Sequence, residues 1–217
     1  MTTTGLRYER VRAKGEWMMR IGPSEAPVTI LFVPPLFEEL NRTRALIAGI
    51  MRRLAATGHG CALPDLPGTG ESAQALESLC WADWHAAIAD ISQGFSATAA
   101  IRGGCLLDDS AAPLLAWRFA PAEGASLVRD LERAGLVSGG GSAGYDPGAE
   151  LIEPLREATT TTAKQARVVR LASDRGEADL KVEGPPLWRR AEPQTSNELV
   201  EALASDLDEW LRQCVAS

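Results

Sequence analysis

The stretch 28–72 most constrains the fold, because strand and helix signals alternate within it. Residues 28–33 form a short apolar run rich in β-branched side chains, which is typical of a strand buried on both faces. Asn41 is a plausible N-cap for a helix with apolar residues at helical spacing, and Gly58 marks its end. Residues 61–63 predict a second strand. A strand–helix–strand unit of this kind favours a right-handed crossover between parallel strands.

The same alternation continues along the rest of the chain. Two runs of mixed apolar and charged residues, 6–11 and 17–21, predict an antiparallel hairpin with one solvated face. Further strands are predicted at 97–101, 113–119, 167–172 and 178–182, and helices at 80–95, 123–134 and 151–158. A capping box, Thr195-Ser-Asn-Glu198, opens a last helix. This order predicts a three-layer α/β sandwich in a single domain, 1–217.

Composition and charge exclude several classes of function. The net charge of −7 argues against non-specific nucleic-acid binding, which needs a basic surface. The Gly-rich stretch 138–147 reads as a flexible loop and lacks the lysine of a phosphate-binding loop, so we expect no nucleotide cofactor. The chain has four cysteines, Cys61, Cys80, Cys105 and Cys214. Their spacing is typical of neither a metal site nor a redox motif, which predicts reduced thiols and no bound metal. With no signal-peptide core and no run of membrane-spanning length, we expect a cytoplasmic protein.

Two segments of the sequence resemble the opening of an α/β-hydrolase: PPLFEELNRTRAL and GHGCALPDLPGTGES. More narrowly, the double proline, the Glu38-Glu39 pair and Asn41 resemble the bacterial exosortase A system-associated hydrolases of the second type. The resemblance runs with gaps from about residue 7 to about residue 211. It implies a mainly parallel sheet of about eight strands with the hairpin at one edge and no large cap domain. It also implies a setting in exopolysaccharide-export and protein-sorting loci.

An α/β-hydrolase carries its nucleophile on a tight turn after a central strand. Here the strand 97–101 leads into Arg102-Gly103-Gly104, which predicts the elbow with Arg102 at its centre. A guanidinium is not a nucleophile and stays protonated. The resemblance continues through this arginine, since its family carries G-L-R-x-G at the elbow, and Ala100 replaces the first glycine here. Only the segment CLLDDSAA precedes the next strand, so the following helix has about two turns at most.

The acid and the histidine of a serine-type triad follow later strands. Asp174 follows the next-to-last predicted strand and occupies the place of the acid. Leu187 or Trp188 occupies the place of the histidine. The chain has only two histidines, His59 and His85, and both precede the elbow and read as structural or solvated. Because nucleophile and base both lack a candidate, we expect no ordinary serine-hydrolase activity.

Two other arrangements of the site are open at this point. Cys105 lies near the predicted mouth of the sheet, where Arg102 could lower its thiol pKa, so it is either an unusual nucleophile or a buried structural cysteine. Glu38 and Glu39 lie in the loop that usually supplies oxyanion-hole amides, where a carboxylate would repel an oxyanion. These acids are either exposed helix-start residues or partners of Arg102, and we predict an ion pair with one of them.

The expected ligand pocket lies at the carboxyl ends of the strands. Its predicted lining consists of residues near the elbow and the missing histidine: Pro35, Leu36, Glu38, Glu39, Arg102, Gly103, Leu187 and Trp188. The favoured function is a non-catalytic protein that binds a small acyl or saccharide-like ligand or a partner protein. An ester or thioester hydrolase using Cys105 is the alternative, and a purely structural subunit is a third. The sequence leaves open whether the protein is an enzyme.

Overall fold

Eight strands form one sheet in the computed structural model, which describes residues 5–11, 16–135, 147–161 and 164–215. In chain order the strands are β1 (Arg7–Val11), β2 (Glu16–Ile21), β3 (Thr29–Val33), β4 (Gly60–Pro64), β5 (Ala97–Ile101), β6 (Leu115–Phe119), β7 (Gln165–Leu171) and β8 (Leu180–Val182). Their order across the sheet is β1-β2-β4-β3-β5-β6-β7-β8. The pairs β1–β2 and β2–β4 are antiparallel, whereas all pairs from β4 to β8 are parallel.

The predicted hairpin is confirmed at one edge of this sheet. In β1 half-buried and exposed residues alternate, as expected for an edge strand with one solvated face. Arg7 pairs with Arg20 and Val11 with Glu16 in its register with β2. The residues that join the two strands, 12–15, lie outside the described residues, as does most of the predicted Gly-rich loop.

Five helices cover the two faces of the sheet within the described part of the chain. They are α1 (Glu38–Ala56), α2 (Trp81–Ile91), α3 (Gly124–Arg133), α4 (Ala149–Glu157) and α5 (Asn197–Val215). α1 and α5 pack together in one apolar cluster, and α2, α3 and α4 belong to a second cluster. The predicted three-layer α/β arrangement is therefore confirmed. Two residues near the carboxyl edge of the sheet fall in different clusters, Trp188 in the first and Cys105 in the second.

Two predicted helix starts were wrong by a few residues. α1 begins at Glu38, so Asn41 lies inside its first turn and is not the N-cap; Phe37 precedes the helix instead. The earlier start places two acids in the first turn, where a helix dipole favours negative charge. α5 begins one residue later than the capping box predicts, and the hydroxyl of Ser196 accepts the Leu199 amide at 3.3 Å.

In the described ranges, no helix combines the length and the apolar character that crossing a membrane requires. No group of three or more His, Cys, Asp or Glu side chains in those ranges could hold a metal ion.

Candidate functional site

A sharp turn follows β5, which lies in the middle of the sheet between β3 and β6. All five residues of β5 are buried, and Arg102 follows them with φ at +54°. A positive φ is uncommon for a residue that carries a Cβ and costs about 1–3 kcal/mol. The structure thus has the strained turn that the sequence predicts, with Arg102 at its apex.

Close packing explains the two glycines after Arg102. A Cβ on Gly104 would lie 2.4 Å from the carbonyl oxygen of Val33 and 2.5 Å from that of Pro34. A Cβ on Gly103 would lie 2.7 Å from the side chain of Leu127. The turn therefore sits directly on the end of β3, and no side chain fits at Gly104 without moving backbone.

All three nitrogens of the Arg102 guanidinium donate hydrogen bonds to neighbouring groups. Its Nη2 donates to Oε1 of Glu39 at 2.9 Å, its Nε to Oε2 of the same carboxylate at 3.2 Å, and its Nη1 to the carbonyl of Ala120 at 3.2 Å. The Arg102 and Glu39 side chains are only 12% and 13% exposed. The predicted ion pair is thus present, as a two-point contact of the kind that fixes both position and orientation.

Trp188 covers the same guanidinium from the direction of β8. It lies in a 3₁₀ turn, Leu187–Arg189, and its ring centroid is 4.5 Å from Cζ of Arg102. The ring also packs edge-on against Phe119, and the Trp188 carbonyl accepts Nη1 of Arg42 at 3.0 Å. Of the two residues predicted to replace the histidine, Trp188 therefore contacts Arg102, through a cation–π interaction.

Of the two candidate acids, Glu39 is the one that pairs with Arg102. Successive residues of a helix point about 100° apart, so Glu38 and Glu39 face different directions. Burial raises the pKa of Glu39, and the adjacent Arg102 charge opposes that rise. Glu38 is half-buried and forms no ion pair among the described residues.

The segment after the elbow contains two 3₁₀ turns, Arg102–Leu106 and Asp108–Ser110, which confirms that a full α-helix is missing here. Asp108 instead forms a buried pair with Arg118 of β6. Nε of Arg118 lies 2.7 Å from Oδ2 and its Nη2 lies 2.8 Å from Oδ1. This second ion pair ties the segment to the sheet and was not predicted.

Cys105 lies inside the protein rather than at the mouth of the sheet. It is 1% exposed, and burial raises its thiol pKa well above the usual value, with Asp108 adding to the rise. Arg102 and Arg118 act in the opposite direction but do not overcome the effect of burial. Of the two alternatives for Cys105, the buried structural cysteine therefore fits the structure, because burial outweighs the effect of Arg102 on the thiol pKa.

Asp174 is held within the loop that follows β7. Its Oδ2 accepts Nη1 of Arg170 at 2.8 Å, and its Oδ1 accepts the Gly176 amide at 2.9 Å. Burial acts to raise the pKa of Asp174, but the Gly176 amide and the Arg170 guanidinium outweigh it, so the pKa is lowered. The carboxylate orders its own loop, and this is a structural role.

The two histidines also have structural partners. Nε2 of His59 lies 2.6 Å from Oδ1 of Asp208 in α5. Nδ1 of His85 lies 2.5 Å from the hydroxyl of Ser110, and Trp81 packs edge-on against its ring. The sequence predicts that both histidines are structural or solvated, and these contacts fit a structural role.

A cavity of about 550 Å³ lies beside Arg102, Glu39 and Trp188. Four of the eight predicted pocket residues line it: Leu36, Glu38, Glu39 and Trp188. The other four predicted residues, Pro35, Arg102, Gly103 and Leu187, are not part of the lining. Gly103 and Leu187 lie in the packed interior, and Arg102 contacts the lining residues Glu39 and Trp188.

Sequence reasoning missed the opposite wall of this cavity. α3 supplies that wall, including Ser126, Leu127 and Arg129. The amphipathic pattern of 123–134 predicts a helix, but it does not indicate that residues of this helix line the cavity at the carboxyl ends of the strands. Phe37, which also lines the cavity, was missed as well: its φ is +54° and its ring centroid lies 5.5 Å from that of Trp84.

No family model and no curated protein matches this sequence. Solved structures do resemble it. Alpha/beta hydrolase domain-containing protein 10 from mouse is 12% identical with a TM-score of 0.58, over 97% of this chain and 99% of that chain. Smu.1393c from Streptococcus mutans is 12% identical with a TM-score of 0.56, over 98% and 99%. A thioesterase domain from the curacin biosynthetic pathway is 13% identical with a TM-score of 0.56, over 93% and 98%. The chain has the α/β-hydrolase fold.

Proposed function

We propose that this α/β-hydrolase-fold protein is non-catalytic and binds a ligand in the cavity beside Arg102, Glu39 and Trp188. One observation carries the proposal: the three positions that serve acyl-transfer chemistry in this fold hold groups that contact one another. The elbow residue Arg102 is paired with Glu39 at 2.9 Å and lies under Trp188 at 4.5 Å. Because Arg102 is held by Glu39 and Trp188, the elbow position offers no group that could attack a substrate.

Each of the three replacements opposes acyl transfer by a separate physical effect. The Arg102 guanidinium is neither nucleophile nor base at any working pH. The Glu39 carboxylate lies beside the elbow residue, 2.9 Å from Arg102, and a negative charge there would destabilise an oxyanion formed at the elbow. The Trp188 indole has only a donor N–H and cannot accept a proton from a nucleophile.

The cavity itself supports a binding function. Its volume of about 550 Å³ falls within the roughly 300–1,000 Å³ of small-molecule sites. This size suits a small acyl or saccharide-like compound, and a segment of a partner protein is the second possibility. The sequence resemblance at Glu38, Glu39 and Asn41 supports a role in a bacterial exopolysaccharide and protein-sorting locus. The cysteine spacing supports a cytoplasmic setting for that role.

A hydrolase that uses Cys105 is the alternative function. It requires a thiolate within reach of a substrate, and the thiol is 1% exposed with a raised pKa. A cysteine in such surroundings is inert, which favours the non-catalytic proposal.

A fluorophosphonate probe and a panel of ester and thioester substrates test the proposal. We expect no labelling and no turnover by the wild-type protein, with an active serine hydrolase as the positive control. Labelling at any serine, or turnover that one serine substitution abolishes, would contradict it. Turnover that survives every serine substitution but is lost in Cys105→Ala would establish the thiol alternative instead.

A further inference from the structure

We infer that the cavity binds an amphipathic anion, a molecule with a carboxylate or phosphate head and an apolar body. This inference rests on the proposed ligand-binding function and specifies its ligand class. It comes from the way charged and apolar side chains divide the lining of the cavity.

The charged part of the lining has an excess of arginine. Its three carboxylates belong to Glu38, Glu39 and Asp130, and its four guanidinium groups belong to Arg42, Arg129, Arg133 and Arg189. Two of these acids are already neutralised, since Glu39 pairs with Arg102 and Asp130 pairs with Arg133 at 3.0 Å. Among the described residues of the lining, the remaining three arginines and one carboxylate leave a net charge of +2 (three minus one), whereas the whole chain has a net charge of −7.

The three remaining arginines have donors to offer. Arg129 and Arg189 are exposed and form no ion pair with any described residue. Arg42 uses Nη1 for the Trp188 carbonyl, which leaves its Nε and Nη2 for another acceptor. Guanidinium groups bind carboxylate and phosphate oxygens through paired N–H donors, so this part of the lining suits an anionic head. Arg102 is not part of this set, because Glu39 and Ala120 occupy its donors.

The apolar part of the lining forms the inner surface of the cavity. Leu36, Phe37, Leu127 and Leu131 contribute to it, and each is at most 6% exposed. A small inorganic anion would leave this surface in contact with water, and an uncharged saccharide would leave the arginines without a partner. A molecule with both parts satisfies the whole lining.

Isothermal titration of the full chain with four probes tests the inference. The probes are octanoate, octyl phosphate, octan-1-ol and acetate, each below any micelle-forming concentration. We expect octanoate and octyl phosphate to bind saturably and about tenfold or more tightly than octan-1-ol or acetate. The double variant Arg129→Gln/Arg189→Gln should weaken both by about tenfold or more. The control, Arg52→Gln/Arg175→Gln, removes two exposed arginines outside the lining and should leave binding unchanged.

The outcomes separate this inference from the proposed function. Octan-1-ol binding as tightly as octanoate, without effect of the arginine substitutions, would overturn the anionic preference while ligand binding stands. Failure of both anionic probes to bind would overturn the inference, whereas labelling by fluorophosphonate would overturn the non-catalytic proposal alone. Ser126→Phe fills the cavity from α3, and undiminished octanoate binding by this variant would place the anion elsewhere and overturn the inference.

Discussion

Removal of the Glu39 carboxylate is the most direct test of how the elbow is held. In Glu39→Ala, Arg102 loses both of its carboxylate contacts while it remains in a site where its side chain is 12% exposed. Breaking a buried ion pair by deleting one partner costs about 3–5 kcal/mol, because the other charge stays buried without compensation. Arg102 keeps the Ala120 carbonyl and the Trp188 ring, so we expect the lower end of this range.

Urea unfolding followed by circular dichroism measures this loss. In thermal unfolding, the same loss of about 3 kcal/mol should lower the melting temperature by about 6–12 °C for a protein of this size. Glu38→Ala is the matched control, because it removes the neighbouring carboxylate, which has no ion pair among the described residues. We expect it to change stability by no more than about 0.5 kcal/mol.

Replacing both charged partners distinguishes the ion pair from simple loss of packing. Apolar residues of similar volume often substitute for a buried pair without loss, so Glu39→Leu/Arg102→Met should be more stable than Glu39→Ala. Equal stability of the Glu38→Ala and Glu39→Ala variants would refute the reasoning, as would a double variant less stable than Glu39→Ala.

Two further predictions concern the packing of the elbow and the charge of a histidine. Gly104→Ala places a methyl group 2.4 Å from the Val33 carbonyl oxygen, so we expect a loss above about 4 kcal/mol in urea unfolding. Gly94→Ala meets only open space and should lose about 1–2 kcal/mol; equal losses would contradict the packing argument. Burial lowers the pKa of His85, although Asp109 opposes this, so its NMR titration should lie below 6.5. The lowered pKa means that His85 contributes its whole stabilising effect above pH 6.5, and that this contribution is lost as the pH falls through the folded-state pKa. An NMR titration midpoint at or above 6.5 would contradict this prediction.

The elbow could be predicted because its signals are local. A buried strand followed by Arg102, Gly103 and Gly104 indicates a tight turn, whatever surrounds it. The choice between Glu38 and Glu39 could not be made from the sequence, since it depends on where α1 begins. With Asn41 read as the N-cap, both acids fall in a loop, where neither has a defined direction.

The cavity was harder to predict because its walls come from distant parts of the chain. Order along the chain predicts that Leu187 or Trp188 takes the place of the histidine, and Trp188 does contact Arg102. Nothing in the sequence near Arg129 indicates that α3 faces the same space. That contact depends on how the helix docks against the sheet, which a single sequence does not encode in any local pattern.

The three replacements at the elbow depend on one another, so restoring the nucleophile alone should not restore catalysis. Arg102→Ser would leave the Glu39 side chain 13% exposed, with its partner removed and its charge beside the elbow. We expect this variant to lose about 3 kcal/mol of stability and to remain unlabelled by a fluorophosphonate. Arg102→Ser/Glu39→Gln removes the unpaired charge and should regain most of that stability. It should still remain unlabelled, because Trp188 cannot accept the proton of the serine hydroxyl. Labelling of either variant at position 102 would show that another group serves as the base and that Trp188 does not hold the place of the histidine.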